Sequence, residues 1–366
     1  MNLDDIAHAR LYNQRLAVAA QDTALTPAEV VAWLGAAQAQ DFAGAKWSLG
    51  RRLWPTTDAA IEEAFNRGDI LRTHVLRPTW HFVAPADARR LLALTAPRVH
   101  LTNGSMYRQL ELDSETLSRG AEAMTRGLRG GGQLTRDELK VVLEDGGIPT
   151  VGGRDRSGQR LAYIVMWAEL EGLIVSGPRR GKQFTYMLLD ERAPHAITMP
   201  REEALAELIR RYFRSHGPAT ADDFARWSSL TLTETRAGLE AVAAELHHEV
   251  IDGQTYWFAG DANPPRDPSP SALLLSIYDE YTIGYKEWRA VGGEEYGDIL
   301  RGMGNALQNV ILVDGRLVGT WRREVKRGSI TVELTLLRPL TEKENAAVAR
   351  AAGLYGEFLG LPVEVI

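Results

Sequence analysis

Two glutamines, Gln38 and Gln40, stand two positions apart after the apolar stretch VVAWLGAA. A primary amide both donates and accepts hydrogen bonds, so such a pair can hold a water and a sugar or phosphate oxygen. It is a weak base, suited to positioning a nucleophile more than to activating one. Alone, two glutamines carry little, because most face solvent. At the C-terminal end of a helix, residues two apart would diverge by about 200°. They could share a target only if the helix ends or distorts there, and Asp41-Phe42-Ala43-Gly44 allows such a break.

Most other chemistry is excluded. The 366 residues contain no Cys, which removes disulfides, thiolate catalysis, iron–sulfur clusters and Cys-based zinc sites. There is no P-loop and no G-x-S-x-G, and Gly302-Met303-Gly304 lacks the strand–helix setting of a dinucleotide site. The eight His are dispersed; His247-His248 read as a strand pair without a third ligand, so no metal and no cofactor is expected. His74 and His81 flank a hairpin and suit structural or phosphate-contacting roles better than general-base work. Trp80 reads as core, and Asp279 and Glu280 as ion-pair partners near a linker end, with no further role.

Charge narrows the partner. The net charge is −6, yet residues 190–300 carry 20 acids and 10 bases, so the remainder of the chain is at +4. Residues 46–108 hold 10 bases against 5 acids. Partner choice follows the local field, so a basic face can sit on an acidic protein. Ordinary solvated arginines explain the same numbers. The start of the chain, with Asp4 and Asp5 and no apolar run, is not that of a signal peptide, and no stretch suits a membrane helix. A soluble, cytoplasmic protein is expected.

Elements that could position these residues repeat three times. LTPAEV (25–30), LTRDEL (134–139) and ATADDF (219–224) each place Thr three residues before an acid, the pattern of a capping box. Thr26, Thr135 and Thr220 are the expected caps. After Thr220 come a short helix, a second helix starting at Thr233, and two strands around Asp252-Gly253. Helix, turn, helix and hairpin is the winged-helix order. The second copy ends in a basic hairpin tip, Gly177-Pro178-Arg179-Arg180-Gly181-Lys182. The first places its hairpin turn near Leu76–Pro78. A Pro-rich linker, 263–270, precedes a β-rich part with three or four strands, an Asp314-Gly315 hairpin and one final helix.

The expected fold class is therefore α+β: three tandem winged helix-turn-helix units followed by a C-terminal β-barrel-like domain. Winged helix 1 spans 1–115 and carries the Gln pair, winged helix 2 spans 116–198, winged helix 3 spans 199–262, and the β-rich domain spans 271–366.

Four segments carry a resemblance: LGAAQAQDFAGAKWSLGRRL (34–53), RTHVLRPTWHFVAP (72–85), DEYTIGY (279–285) and VILVDGRLVGTW (310–321). In this order they resemble the AlkZ-like family, bacterial winged-helix DNA glycosylases that excise bulky alkylated bases and unhook interstrand crosslinks. The resemblance implies that Gln38-Ala39-Gln40 is the family's catalytic Q-x-Q, with Gln at position 40 where the related YcaQ-like branch has Asp. It also implies a concave, positively lined cleft and the C-terminal barrel.

The implied substrate is double-stranded DNA with bases alkylated at purine N7 or N3. Such a base is cationic and leaves readily; hydrolysis then needs a placed water and stabilisation of an oxocarbenium-like sugar. Gln38 and Gln40 together would hold the water and the deoxyribose. No lysine stands out as a Schiff-base nucleophile, so a monofunctional hydrolase is expected, acting as a monomer. Bulky adducts do not fit a snug pocket, so base flipping is not assumed. The DNA-contact candidates are Lys46, Arg51 and Arg52 after the motif, Arg77 on the first wing, Arg179, Arg180 and Lys182 on the second, and Arg322 and Arg323 beyond the barrel hairpin. A non-catalytic tandem winged-helix regulator is the alternative, though regulators usually dimerise on palindromes. An interaction scaffold without DNA affinity is a third.

Overall fold

A computed structural model describes residues 1–21, 25–152, 158–261, 263–286, 288–292 and 308–366. Gly302, Met303 and Gly304 lie outside the described residues. The fold is mixed α and β. Its residues form two compact units that are discontinuous in sequence: Met1–Glu62, Ala206–Trp227 and Thr231–Ile366 in one, Glu63–Leu205 and Ser228–Leu230 in the other.

The first unit opens with α1 (Leu3–Asn13), α2 (Pro27–Leu34), a short strand β1 (Ala37–Gln38) and α3 (Phe42–Arg52). The expected box at Thr26 forms: the Thr26 hydroxyl accepts the Glu29 N–H while the Glu29 carboxylate takes the Thr26 N–H. The helix α4 (Asp58–Arg67) leads from one unit into the next.

In the second unit, β2 (Leu71–His74) and β3 (Trp80–Val83) pair with Thr73 opposite His81 and His74 opposite Trp80. The turn between them places Leu76 at φ +63°. A long helix α5 (Ala88–Gln109) follows. Then come α6 (Ser114–Leu128), β4 (Leu134–Thr135), α7 (Arg136–Asp145), α8 (Gln159–Leu170), β5 (Ile174–Arg180) and β6 (Gln183–Leu188), with sheet order β4-β6-β5. The element order is that expected of the second repeat, and Thr135 caps α7 reciprocally with Glu138. Gly177 and Pro178 do not belong to the hairpin tip as expected. The β5–β6 register shifts between Ser176 and Arg179, making them a bulge, where a residue without an N–H is tolerated, and the turn is Gly181-Lys182.

The chain continues through α9 (Leu189–Arg192), α10 (Arg201–Ser215), α11 (Ala221–Ser228), α12 (Leu232–Val242) and the hairpin β7 (His247–Ile251) and β8 (Gln254–Phe258). Thr220 and Asp223 exchange the expected bonds. The cap of α12 is Thr231 and not Thr233, because Thr231 stands three residues before Glu234 and the two form a full box. Asp252 and Gly253 both take positive φ (+49° and +75°), the geometry a two-residue hairpin turn needs.

The C-terminal sheet has five strands where three or four were expected: β9 (Ala272–Leu275), β10 (Asn309–Val313), β11 (Arg316–Lys326), β12 (Ser329–Leu336) and β13 (Val363–Val365), in order β13-β12-β11-β10-β9. It curls as half a barrel. Between β9 and β10 lies the single turn α13 (Glu280–Ile283), and α14 (Glu342–Leu359) precedes β13, which joins β12 in parallel. Trp47 of α3 packs on Tyr355 and Phe358 of α14, with ring centroids 5.0 and 5.1 Å away. Gly50 lets the two helices close, since a Cβ there would lie 2.6 Å from the Phe358 ring.

Candidate active site

The helix before the Q-x-Q motif ends earlier than its apolar run suggests. α2 stops at Leu34, and Gly35 turns the chain at φ +84°, against the Trp227 ring. Gln38 therefore sits on the strand β1, and Gln40 at the bend before α3. The helical divergence of residues two apart does not apply to this extended connection. The two glutamines differ in exposure: Gln38 is 8% exposed, whereas Gln40 is exposed.

The motif is held by the two acids for which the sequence suggested no specific role. Glu280 is fully buried. Its Oε1 accepts the backbone N–H of Gln38 at 2.8 Å, and its Oε2 accepts the indole N–H of Trp227 at 2.8 Å. The same Oε2 lies 3.5 Å from Nε2 of His216. His216 stacks on Tyr212, and its Nδ1 meets the Ser215 hydroxyl at 2.8 Å. Burial pushes the His216 pKa below its ordinary value, with Glu280 opposing that shift.

Asp279, also fully buried, grips α3. Its two oxygens accept both terminal nitrogens of Arg52 at 2.8 Å, and Oδ2 takes the Ser48 hydroxyl at 2.6 Å. Oδ1 also caps α13 through the N–H of Tyr281. One turn thus fixes the strand carrying Gln38 and the helix that follows it. The sequence held a signal for this: adjacent acids within the apolar run LLLSIYDEYTIGY need buried partners.

Three of the cations proposed for DNA are corrected by their surroundings. Arg52 is 1% exposed and bidentate on Asp279, with NH2 also donating to Gln14, so it has no surface for a phosphate. Lys46 is 4% exposed and lies between Asp58 and Glu62, 2.7 and 2.5 Å from their carboxylates. Arg51 is buried beside Trp47, and burial pushes its pKa down to about 10.

The other candidates stay nearer solvent. In the first unit Arg322 is exposed on β11, and Arg323 reaches towards Asp41, 3.7 Å away and next to Gln40, with its guanidinium 5.7 Å from the Tyr355 ring centre. In the second unit Arg77 meets His81 Nε2 at 3.3 Å. Arg179 donates to the Lys182 carbonyl, exposed Arg180 pairs with Glu138 at 2.7 Å, and Lys182 is exposed on the turn. The motif shares its unit with Arg322 and Arg323, while Arg77, Arg179, Arg180 and Lys182 belong to the other. No group of three or more His, Asp or Glu with metal-holding geometry occurs among the described residues.

The sequence model of the family described as DNA glycosylase AlkZ-like matches residues 31–358. The chain belongs to the AlkZ-like DNA glycosylase family. It is similar to the interstrand DNA cross-link repair glycosylase of Streptomyces sahachiroi, 26% identical over 352 residues that cover 92% of this chain and 93% of the relative. The solved structure of the Streptomyces sahachiroi DNA glycosylase AlkZ has the same fold, with a TM-score of 0.80, 22% identity and full coverage of both chains.

As a member of this family the protein is a DNA glycosylase, a hydrolase of N-glycosyl bonds. For such an AlkZ-like enzyme the surroundings of the motif are informative. The main chain of Gln38 is anchored by a carboxylate inside the core, and Gln40 is exposed. Among the described residues no helix is long and apolar enough to cross a membrane.

Proposed function

We propose that the protein is a monofunctional glycosylase for duplex DNA, hydrolysing the N-glycosidic bond of purines alkylated at N7 or N3, bulky and crosslinked adducts included. Gln38 and Gln40 hold the attacking water and the deoxyribose. The observation that carries this reading is the pinned, non-helical Q-x-Q segment, buried at Gln38 and exposed at Gln40.

The physical argument is one of matched strengths. An alkylated purine is already cationic and needs little proton donation to leave. A glutamine amide orients water but deprotonates it poorly, so normal nucleosides are spared while labile ones react. Lys46, the lysine nearest the motif in sequence, is bound to Asp58 and Glu62 and is unsuited to a Schiff base. That supports hydrolysis without strand cleavage. The three capped helix–hairpin repeats support a tandem winged-helix scaffold working as a monomer.

The test is incubation of the protein with duplex DNA containing N7-methylguanine or a bulkier N7 adduct, counting alkali-revealed abasic sites. Wild type releases the base; Gln38→Ala and Gln40→Ala lose release but keep duplex binding. Tight duplex binding with no release from any lesion would replace this reading with a non-catalytic regulator.

A further inference from the structure

The second unit contains a pocket of about 340 Å³ far along the chain from the Q-x-Q motif. Its walls include Arg72, Trp80, Arg136, Lys182, Phe184 and Tyr186. Phe184 and Tyr186 are two apart on β6 and so share one face of it. Arg72 is 5% exposed, with its guanidinium carbon 4.4 Å from the Trp80 ring centre and 4.3 Å from that of Phe184. Burial lowers its pKa to about 10, which leaves it a cation at neutral pH, held rigid between two rings.

Two further groups point to a ligand. Tyr186 is 5% exposed with its ring in the core, and it also lines the pocket. Lys182 is exposed, and its ammonium makes no ion pair among the described residues. Arg136, also exposed, donates only at 3.2 Å to the Gly158 carbonyl. One carboxylate, Asp137, lines the pocket against these three cations. The nearby cap Glu138 is already bound by Arg180 and the Thr135 N–H.

The ring faces are taken, which argues against base stacking. Trp80 carries Arg72 and, 4.2 Å away, the His74 ring; Phe184 carries Arg72 and, 5.1 Å away, Arg179. What remains on offer is a set of cations and one hydroxyl donor, which fits a group that has several acceptor oxygens and a negative charge. We propose that this pocket seats a backbone phosphate of a DNA strand, gripped by Lys182 and Arg136 at the mouth and by the Tyr186 hydroxyl within. Arg72 supplies a fixed positive charge behind it. The proposal rests on the DNA-acting reading above and adds a defined anchoring point in the second unit.

The experiment uses the full chain and undamaged duplex DNA, with affinity measured across a range of salt for wild type, Lys182→Ala, Arg136→Ala and Tyr186→Phe. Removal of either cation lowers the slope of log affinity against log salt by roughly one, the amount expected for a lost phosphate contact. Tyr186→Phe weakens binding and leaves the slope unchanged, because it removes a neutral donor. Inorganic phosphate, added as a separate probe, binds wild type and binds all three variants more weakly. Wild-type affinity and slope in every variant would overturn the proposal. Phosphate binding lost in variants that bind DNA normally would also overturn it, by assigning the pocket to a free phosphate compound. Failure of the glycosylase reading is separately visible, as absent base release by wild type.

Discussion

The backbone N–H of Gln38 donates to a carboxylate 242 residues away, Oε1 of Glu280, at 2.8 Å. The other oxygen of that carboxylate takes the Trp227 indole. Glu280 thus has to remain a double acceptor for the motif strand to hold its place.

Glu280→Gln tests this requirement. A glutamine offers one acceptor and one amino group, so either Gln38 or Trp227 then faces a donor. Base release from the bound complex should fall by about 10- to 100-fold, the scale of effect of sub-ångström to ångström displacements near a reacting centre. Duplex affinity should hold. Trp227→Phe removes one donor, keeps the ring against Gly35 and should cost less. Single-turnover rates beside equilibrium binding decide the matter: equal losses in both would show that Glu280 merely supports the fold.

A second prediction concerns Arg52 and Asp279. Removing one member of a fully buried pair strands the other charge, at a cost of ~3–5 kcal/mol, whereas replacing both with apolar residues is far better tolerated. Urea unfolding of Arg52→Met should show the large loss, and Arg52→Met with Asp279→Leu should recover much of it. The salt slope of DNA binding should not move with Arg52. A shallower slope at unchanged stability would restore Arg52 as a phosphate contact.

The pH dependence of stability follows from His216. Its folded pKa lies below the ordinary value of 6.5, mainly through burial. The unfolded chain therefore binds the proton more readily. The stabilising contribution is complete above pH 6.5 and is lost as pH falls towards the folded pKa. Denaturant midpoints measured from pH 7.5 down to 5.0 should decline, and His216→Asn should flatten part of that decline. An identical decline in the variant would assign the effect to other groups.

Packing behind the motif gives a fourth prediction. A Cβ at Gly50 would lie 2.6 and 2.9 Å from ring carbons of Phe358. Gly50→Ala should destabilise by ~1–3 kcal/mol through overpacking. Phe358→Leu in the same chain should offset part of it, which a double-mutant cycle in thermal unfolding would measure.

Local structure was largely readable from the chain. Thr26, Thr135 and Thr220 each engage the acid three residues on, because a capping box is closed by neighbours in sequence. Asp252-Gly253 and Asp314-Gly315 turn hairpins for the same reason. The cap of α12 lies at Thr231, two residues before the expected Thr233, and the run TLTET offers more than one threonine near Glu234. The strand β13 is not legible in the sequence: three residues cannot show a period, and its pairing with β12 is parallel across α14.

By itself the sequence determined most of the elements and many of their caps and turns, the presence of a Q-x-Q motif in an AlkZ-like chain and the absence of cysteine chemistry. Each of these rests on residue types or on contacts within a few positions. Only the tertiary structure decided that Arg52, Lys46 and Arg51 are interior groups, and that Asp279 and Glu280 tie down the strand and helix around Gln38. A charged side chain reads the same in sequence whether it meets solvent or a buried carboxylate. The difference is made by whichever segment packs over it, and for Arg52 that segment lies 227 residues away.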